Sequence, residues 1–540
     1  MLTENFPTQN EEEYCSSNRQ LFRGSIQRSI EESLRCDQIK IILKTTMITD
    51  SLFNEQTESF LSWLTTDGKV TVSSKIKIED LRSEGQGRCI IASKDIDTDE
   101  LLFEIPRSSI LNVTTSQLCV DFPHITGKLM ELSQWDSLII CMMYEMKVLQ
   151  HESRWSSYFN VLPSSESLNT LMYWNDKELS FLTPSLVVNR VGKGDAETMY
   201  RRILDTINEF NEDILTEKLG SISWEEFLYI PSIIMAYSFD VEIKNDDDEN
   251  EGDEEFDEKE EEPELLKSMI PLADTLNADT HKCNANLTYD KDSLKMLAIK
   301  PIKKGEQVYN TYGELPNSEL LRKYGYVEWG GSQFDYGEVP FDLVIKVLGE
   351  TFAVSDKLVS RIIDILREDE DIQEEEIDIV MDSYELNCDN SISPEFSLLV
   401  QVLCIILQVP KLDALDILSL TNLTKRTLKK CIQLLELGKL TKKCVTIQQT
   451  ILEKRLAEYN VSKEMTKPEA DDFNIGNVEK LRHKMANEIL INEYQAISKC
   501  LAVLKGLTKT IDDEKLLKNV LKRKIDEDTK TSRPAKKGKK

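Results

Sequence analysis

The chain has 540 residues, 40% hydrophobic and 30% charged, with 96 acidic against 66 basic side chains and a formal net charge of -30. Such a length is expected to hold more than one core, since single cores stop growing near roughly 250–300 residues, and the acidity argues against general affinity for a phosphate backbone while suggesting a basic partner. Eleven cysteines without a CxxC pair and only four histidines give no zinc constellation, which leaves inert thiols in a reducing compartment and no expected metal.

The first residues carry no apolar leader-like run, and no stretch of roughly 18 apolar residues occurs, so a soluble intracellular protein without a membrane partner is expected. Residues 1–50 read as a flexible extension with one amphipathic patch from Ile26 to Ile42. Asn54 to Leu64 (NEQTESFLSWL) puts Phe60, Leu61 and Leu64 on one helical face. Lys75 to Ile78 alternates as a half-buried strand and leads to SEGQGRCIIA, Ser83 to Ala92. Its Gly85 and Gly87 suit either a hairpin turn or a close approach to a ligand; no GxGxxG opens a helix here, so it is not a dinucleotide fingerprint.

An internal echo follows, in which Ala92, Lys94, Ile96 and Glu100 recur as Ala298, Lys300, Ile302 and Glu306. Two similar hairpins would then frame what lies between them. That intervening part reads as helical from Leu111 to about Leu228, with Trp135 heading the run Ser137 to Leu149 and further segments at Lys177 to Leu182 and Thr198 to Leu219. Asn245 to Glu264 (NDDDENEGDEEFDEKEEEPE) has almost no apolar content and should remain an unfolded loop; it is either a solvated insertion or a docking site for a Lys/Arg-rich substrate.

Pro271 to Glu328 is the most informative stretch. A polar turn with Asp274 and Asn277 precedes strand-like runs at Leu297 to Ile299 and Gln307 to Tyr309, joined by a Lys-Lys-Gly turn at Lys303 to Gly305, and then comes Asn310-Thr311-Tyr312-Gly313. From about Val339 the pattern is helical, with runs at Leu343 to Leu348, Leu358 to Leu366, Phe396 to Leu407, Leu415 to Leu437, Thr446 to Tyr459 and Val478 to Leu507, which predicts an all-α bundle. The tail carries the basic clusters Lys522-Arg523-Lys524 and Lys536 to Lys540, readable as a bipartite nuclear-import signal or as a solvated tail. It lacks the interleaved aromatics of specific base stacking, so no nucleic-acid partner is expected.

The segments PLADTLNADTHKCNANLTYD and EQVYNTYGE resemble the C-terminal half of a SET domain, where an Asn-containing and a Tyr-Gly segment meet in a knot-like crossing. Trp155, Tyr158, Leu162-Pro163, Trp174, Trp224 and Ala236-Tyr237-Ser238-Phe239 resemble the helical insertion of methyltransferases of the Rubisco large-subunit type. The resemblance implies an α+β fold: a β-rich SET domain over 51–335, with the insertion at 111–240 and the acidic loop at 245–264, then a helical substrate-binding domain at 336–507 and a basic tail at 508–540. Activity would be S-adenosylmethionine-dependent protein-lysine N-methylation.

By the same resemblance, Glu84, Gly85 and Gln86 would wrap the cofactor. Tyr237 and Ser238 would meet its methionine end, although many members have Arg-Ala there, so its carboxylate must find other donors than an arginine clamp. Asn277 and Ala278 stand where Asn-His is usual: the amide would orient the cofactor's amino-acid end and Ala278 would offer backbone groups to adenine. Taken alone, Asn277 reads as a turn-stabilising amide and Tyr312 as a core residue. Beside each other they imply catalysis, with Tyr312 orienting the acceptor amine and polarising the methyl group. Tyr324 would line the lysine channel, Trp135 its mouth and Asp240 the substrate side, while Asp274 supports the turn. The histidine-methylating branch lacks a tyrosine at the Tyr324 position, which favours lysine. The stretch PNSELLRKYGYVEW further resembles fungal ribosomal lysine methyltransferases, implying monomethylation of a basic, large-subunit ribosomal protein in the nucleus. Ala278 leaves open a catalytically idle SET scaffold that binds chromatin or preribosomes.

Overall fold

The computed structural model describes residues 50–243, 265–369, 372, 378–461 and 467–522. The N-terminal patch, the acidic segment 245–264 and the basic clusters beyond Lys522 lie outside the described residues. Helix α1 (50–66) buries Phe60 and Leu64 completely and keeps Leu61 at the flank of that face. Arg88 fastens it to the neighbouring strand: its Nε donates to Thr57 Oγ1 at 2.9 Å and its guanidinium lies 3.9 Å from the Phe53 ring centroid.

Strands β1 (Thr71–Val72), β2 (Ile76–Leu81), β3 (Gly87–Ala92) and β4 (Leu101–Pro106) precede a helical insertion. Strands β5 (Ser238–Glu242), β6 (Leu265–Met269), β7 (Asn277–Ala278), β8 (Ala285–Tyr289), β9 (Ser293–Ala298) and β10 (Tyr309–Asn310) follow it. They form a four-stranded sheet in the order β1-β4-β9-β8 and the separate pairs β2-β3, β5-β6 and β7-β10. The last is parallel, with Tyr309 opposite Asn277 and Asn310 opposite Ala278, and is the one parallel pair among the described strands.

The internal echo is a contact as well as a pattern. Ala92 N donates to Glu306 O at 2.9 Å, Ala298 N donates to Glu100 O at 3.0 Å, and Ile96 and Ile302 form an antiparallel bridge. Each glutamate also closes its own turn, Glu100 Oε2 accepting from Asp97 N at 3.1 Å and Glu306 Oε2 from Lys303 N at 2.8 Å. The two copies therefore satisfy one another's backbone groups, which a single copy could not do.

In the insertion, α2 (Gln134–Met143) starts on Ser133, whose side chain accepts from Asp136 N, and α3 (Trp224–Tyr237) starts on a Ser223/Glu226 capping box. Helix α3 runs directly into β5, which sets Tyr237 and Ser238 at the corner. The segment expected as one helix from Thr198 to Leu219 is two, Lys193–Glu209 and Asp213–Leu219, because Asn211 between them has φ 56°, outside helical backbone.

Helix α4 (Asn317–Tyr324) closes the first part of the chain. Beyond it the expectation of a purely helical bundle needs correcting: β11 (Tyr336–Pro340) pairs antiparallel with β12 (Ser383–Asn387) among helices α5 (Phe341–Phe352), α6 (Asp356–Glu368), α7 (Pro394–Ile406), α8 (Ile417–Glu436), α9 (Lys442–Leu456) and α10 (Val478–Gly506). These strands are too short for period-two alternation to stand out, and β11 is held by close approach instead. A Cβ on Gly337 would lie 2.4 Å from Ile497 Cγ1 of α10. The tail expected from 508 also begins later, since α11 (Asp513–Leu521) buries Leu516 and Val520 in the helical core.

Separate apolar clusters occupy the β-rich and the helical parts, and a smaller one joins them: Leu171 and Trp174 of the insertion, Leu321 of α4, and Leu481 and Met485 of α10. A polar knot reinforces that junction. Arg455, 2% exposed, donates to Glu338 O at 2.8 Å, to Pro184 O at 2.9 Å and to Tyr459 Oη at 3.2 Å. Tyr459 in turn donates to Glu493 Oε2 at 2.7 Å, and Ser185 donates to Glu493 Oε1 at 2.5 Å. Arg455→Met would keep the stem but strand these buried acceptors, at about 1–3 kcal/mol each. A loss of roughly 3 kcal/mol or more in urea unfolding is expected, and a loss under about 1 kcal/mol would show that the knot is incidental.

Candidate active site

The Arg82–Glu84 turn ends on Gly85, whose φ of 75° is left-handed and whose N–H donates to Arg82 O at 3.1 Å. Glu84 and Gly85 are exposed at the tip, while Gln86 turns inward. Asn277 Nδ2 donates to Gln86 O at 3.2 Å and to Gln307 Oε1 at 2.8 Å. Gln307 Nε2 donates to Gln86 Oε1 at 2.7 Å and to Tyr309 Oη at 3.0 Å. The glycine-containing loop is thus tied to the β7-β10 pair through one closed amide network, in which Asn277 spends both amide hydrogens. Ala278 sits beside it, half-buried and opposite Asn310.

The second wall is aromatic. Tyr312 stacks on Tyr324 with ring centroids 4.5 Å apart and planes 21° from parallel, and meets Tyr326 edge-on at 6.2 Å. Tyr324 ends α4 and Gly325 caps that helix with φ 78°; a Cβ there would lie 2.8 Å from Thr170 N. This left-handed cap is what lets Tyr324 and Tyr326 both address Tyr312. Tyr312 Oη donates to Leu276 O at 3.0 Å. Burial, then the neighbouring Tyr237, Tyr324 and Asp274, hold its phenol well above the usual tyrosine range, so it stays protonated. Tyr326 Oη is buried and has no hydrogen-bond partner.

The floor is the Ala273–Thr275 turn, preceded by Leu272 at φ 78°. A bulky residue in that region costs about 1–3 kcal/mol and is held there by its surroundings. Asp274 Oδ2 accepts from Tyr158 Oη at 2.6 Å. Tyr237, Asp274 and Tyr312 each keep some accessible surface, and burial is the first cause that raises all three groups.

Burial pushes the Asp274 carboxyl up to about 7, and it does the same to Glu493. A carboxyl raised in the folded state stabilises the fold at low pH and loses that contribution as pH rises through its folded value. Each group should therefore add about 1.4 kcal/mol between pH 8 and pH 6. The urea midpoint is expected to rise over that interval, and Asp274→Asn with Glu493→Gln should flatten the rise; a flat wild-type profile would show that these carboxyls are not shifted.

Trp135 and Asp240 lie together at the β5-β6 hairpin, linked by Lys267. Its Nζ donates to Asp240 Oδ1 at 2.6 Å and sits 5.3 Å from the Trp135 ring centroid. Asp240 contributes to raising the Tyr324 phenol, after burial, which places its charge near the tyrosine wall. Ser238 pairs with Met269 at the start of the same hairpin. Three residues at this site had no role in the sequence reading. Tyr326 follows Tyr324 across a glycine cap, a spacing that could have flagged it; Tyr158 was visible only as part of a family pattern, and Gln307 only as the first residue of a strand-like run. Among the described residues no group of three or more His, Cys, Asp or Glu could hold a metal, and no helix is long and apolar enough to cross a membrane.

Comparison with known proteins adds the identity that geometry alone does not give. The SET domain family matches residues 87–313. Ribosomal lysine N-methyltransferase 4 of Saccharomyces cerevisiae is 45% identical over 484 residues, which cover 89% of this chain and 98% of that protein. The Schizosaccharomyces pombe protein of the same name is 29% identical over 333 residues, covering 52% of this chain and 69% of that one. Among solved structures, Rubisco LSMT bound to AdoMet superposes with a TM-score of 0.56 over 84% of this chain and 92% of that one at 16% identity, which shows a shared fold. Given the SET match and a relative spanned almost end to end, this chain belongs to the SET-domain protein-lysine N-methyltransferases, enzymes that use S-adenosylmethionine.

Proposed function

We propose that this chain methylates a lysine of a basic ribosomal protein, adding a single methyl group, with Tyr312 as the catalytic residue. The observation that carries the catalytic assignment is the Tyr312 hydroxyl: its hydrogen is given to Leu276 O at 3.0 Å while its ring is fixed against Tyr324. A phenol in that state presents only lone pairs to the cleft.

The residues present fit the cofactor. The unpartnered Tyr326 Oη faces a position where a polar group is missing, and the Gln86, Asn277 and Gln307 network fixes a polar rim beside it. When bound, S-adenosylmethionine supplies an electrophilic methyl group on a positively charged sulfur. Glu84, Gly85, Gln86, Tyr237, Ser238, Asn277 and Ala278 would hold it. Tyr237 is the polar side chain at the corner where the resemblance leads one to expect arginine, and its burial-raised phenol remains a donor.

The chain's own contribution is alignment and exclusion of water. The stacked Tyr312 and Tyr324 rings present one aromatic wall against which an aliphatic lysine stem can lie, and Trp135 with Asp240 stands outside it. A free lysine has a pKa of about 10.4 and must arrive neutral to act as a nucleophile. Enclosure beside these phenol rings removes water from the ammonium and so favours loss of its proton. Tyr312 Oη then accepts from the remaining amine hydrogens and turns the nitrogen lone pair toward the cleft.

Support for a ribosomal target comes from the names of the two fungal relatives and from the net charge of -30, which suits a basic partner. Nuclear residence rests on the paired basic clusters between Lys522 and Lys540. The test is to offer the purified protein labelled S-adenosylmethionine with extracted ribosomal proteins and, separately, histones. Label confined to a ribosomal band, with one methyl per lysine by mass spectrometry, is the expected result. Cofactor binding with no label on either set would favour the idle scaffold, and label on histones alone would replace the substrate class.

A further inference from the structure

The loop that bears Gly85 is pressed from outside as well as tied from within. A Cβ built on Gly85 would lie 2.3 Å from Phe473 Cε1 and 2.6 Å from Phe473 Cδ1, so it is the Phe473 ring that leaves no room for a side chain there. Phe473 ends the Ala470–Phe473 turn, far along the chain in the helical part. The turn is rigid. Asp472 is fully buried, accepts from Glu469 N at 2.8 Å, and pairs with Lys480 and Lys484 of α10 at 2.6 Å each. These partners, led by Lys480, hold its carboxyl well below the usual range, so it stays charged and anchored. The Phe473 ring also packs on the junction cluster of Trp174, Leu321, Leu481 and Met485.

We propose that Phe473 is a positioning residue for the cofactor: the helical region reaches back through this ring and clamps the 84–86 loop, so that cofactor affinity depends on a residue outside the SET core. The chain of contact is short. Phe473 backs Gly85, Gln86 follows, and Gln86 O accepts from Asn277 Nδ2 at 3.2 Å. Without the ring, the loop keeps its inner ties but loses its outer wall, and a cofactor must then order it at the expense of binding energy.

This rests on the reading that residues 84–86 hold the cofactor. The test measures S-adenosylhomocysteine binding to the full chain by titration calorimetry, with methyl transfer followed at saturating cofactor. Phe473→Ala is expected to raise the dissociation constant about tenfold or more, while kcat at saturation and KM for the protein substrate stay within about twofold. Phe473→Leu should restore most of the affinity by refilling the gap, and Asp472→Asn, which loosens the turn without touching the ring, should fall between. Binding by Phe473→Ala within about twofold of wild type would overturn the proposal, as would affinity and kcat falling together in Phe473→Leu. Failure of the wild-type protein to bind S-adenosylhomocysteine at all would overturn the cofactor reading beneath it.

Discussion

Tyr312→Phe is expected to lower the rate of methyl transfer roughly 10²–10³-fold, the range seen when one preorganised polar group is removed from a reacting centre. S-adenosylhomocysteine affinity should change little. The substitution deletes one oxygen and keeps the ring, so the 4.5 Å stack on Tyr324 and the edge contact with Tyr326 survive. What disappears is the acceptor that orients the amine, together with the donor to Leu276 O. Leu276 is fully buried, so its carbonyl would be left unsatisfied at about 1–3 kcal/mol, a cost that falls on stability. Single-turnover transfer of labelled methyl separates the two effects, because loss of stability lowers the active fraction and not the rate constant of the molecules that remain folded. A rate constant within about tenfold of wild type would remove Tyr312 from the chemistry.

How much of this was legible before the structure depended on the range of the interaction that carried it. Local periodicity reported local facts well: Phe60 and Leu64 are buried on α1, and runs such as Phe396 to Leu407 match α7. The echo of Ala92 to Glu100 in Ala298 to Glu306 was readable as a pattern, yet its meaning, two units that donate to each other's backbone, emerged only in three dimensions. Short strands such as β11 and β12 escaped because five residues against a helix carry too little alternation. The same limit applies to the site. Asn277 and Gln86 are 191 residues apart and bonded; no window of sequence contains both, and only a resemblance could have paired them.

Gly85 shows the limit most sharply. A glycine at the loop suggested room for a cofactor, whereas the atom its side chain would strike belongs to Phe473. The left-handed φ of 75° already demands glycine, and the ring adds a second, independent demand. A residue type can thus be inferred correctly for a reason the sequence cannot supply.

The second large effect is expected at Asn277, and it separates shape from hydrogen-bond polarity. Asn277→Ala removes both donors, to Gln86 O and Gln307 Oε1, and should weaken cofactor binding roughly 10–100-fold on the usual 1–3 kcal/mol for such losses. Asn277→Asp keeps the shape but puts one acceptor oxygen, in place of Nδ2, against the two acceptors Gln86 O and Gln307 Oε1. Turning the Gln307 amide over would give up its Nε2 bonds to Gln86 Oε1 and Tyr309 Oη and would still leave the Gln86 backbone carbonyl facing the new oxygen. The aspartate variant should therefore bind S-adenosylhomocysteine no better than the alanine variant, and its affinity should recover as the pH falls and the carboxyl takes up a proton that it can donate. If Asn277→Asp instead binds like wild type at pH 8, the amide hydrogens are dispensable and the network that joins the loop to the β7-β10 pair does not organise the site.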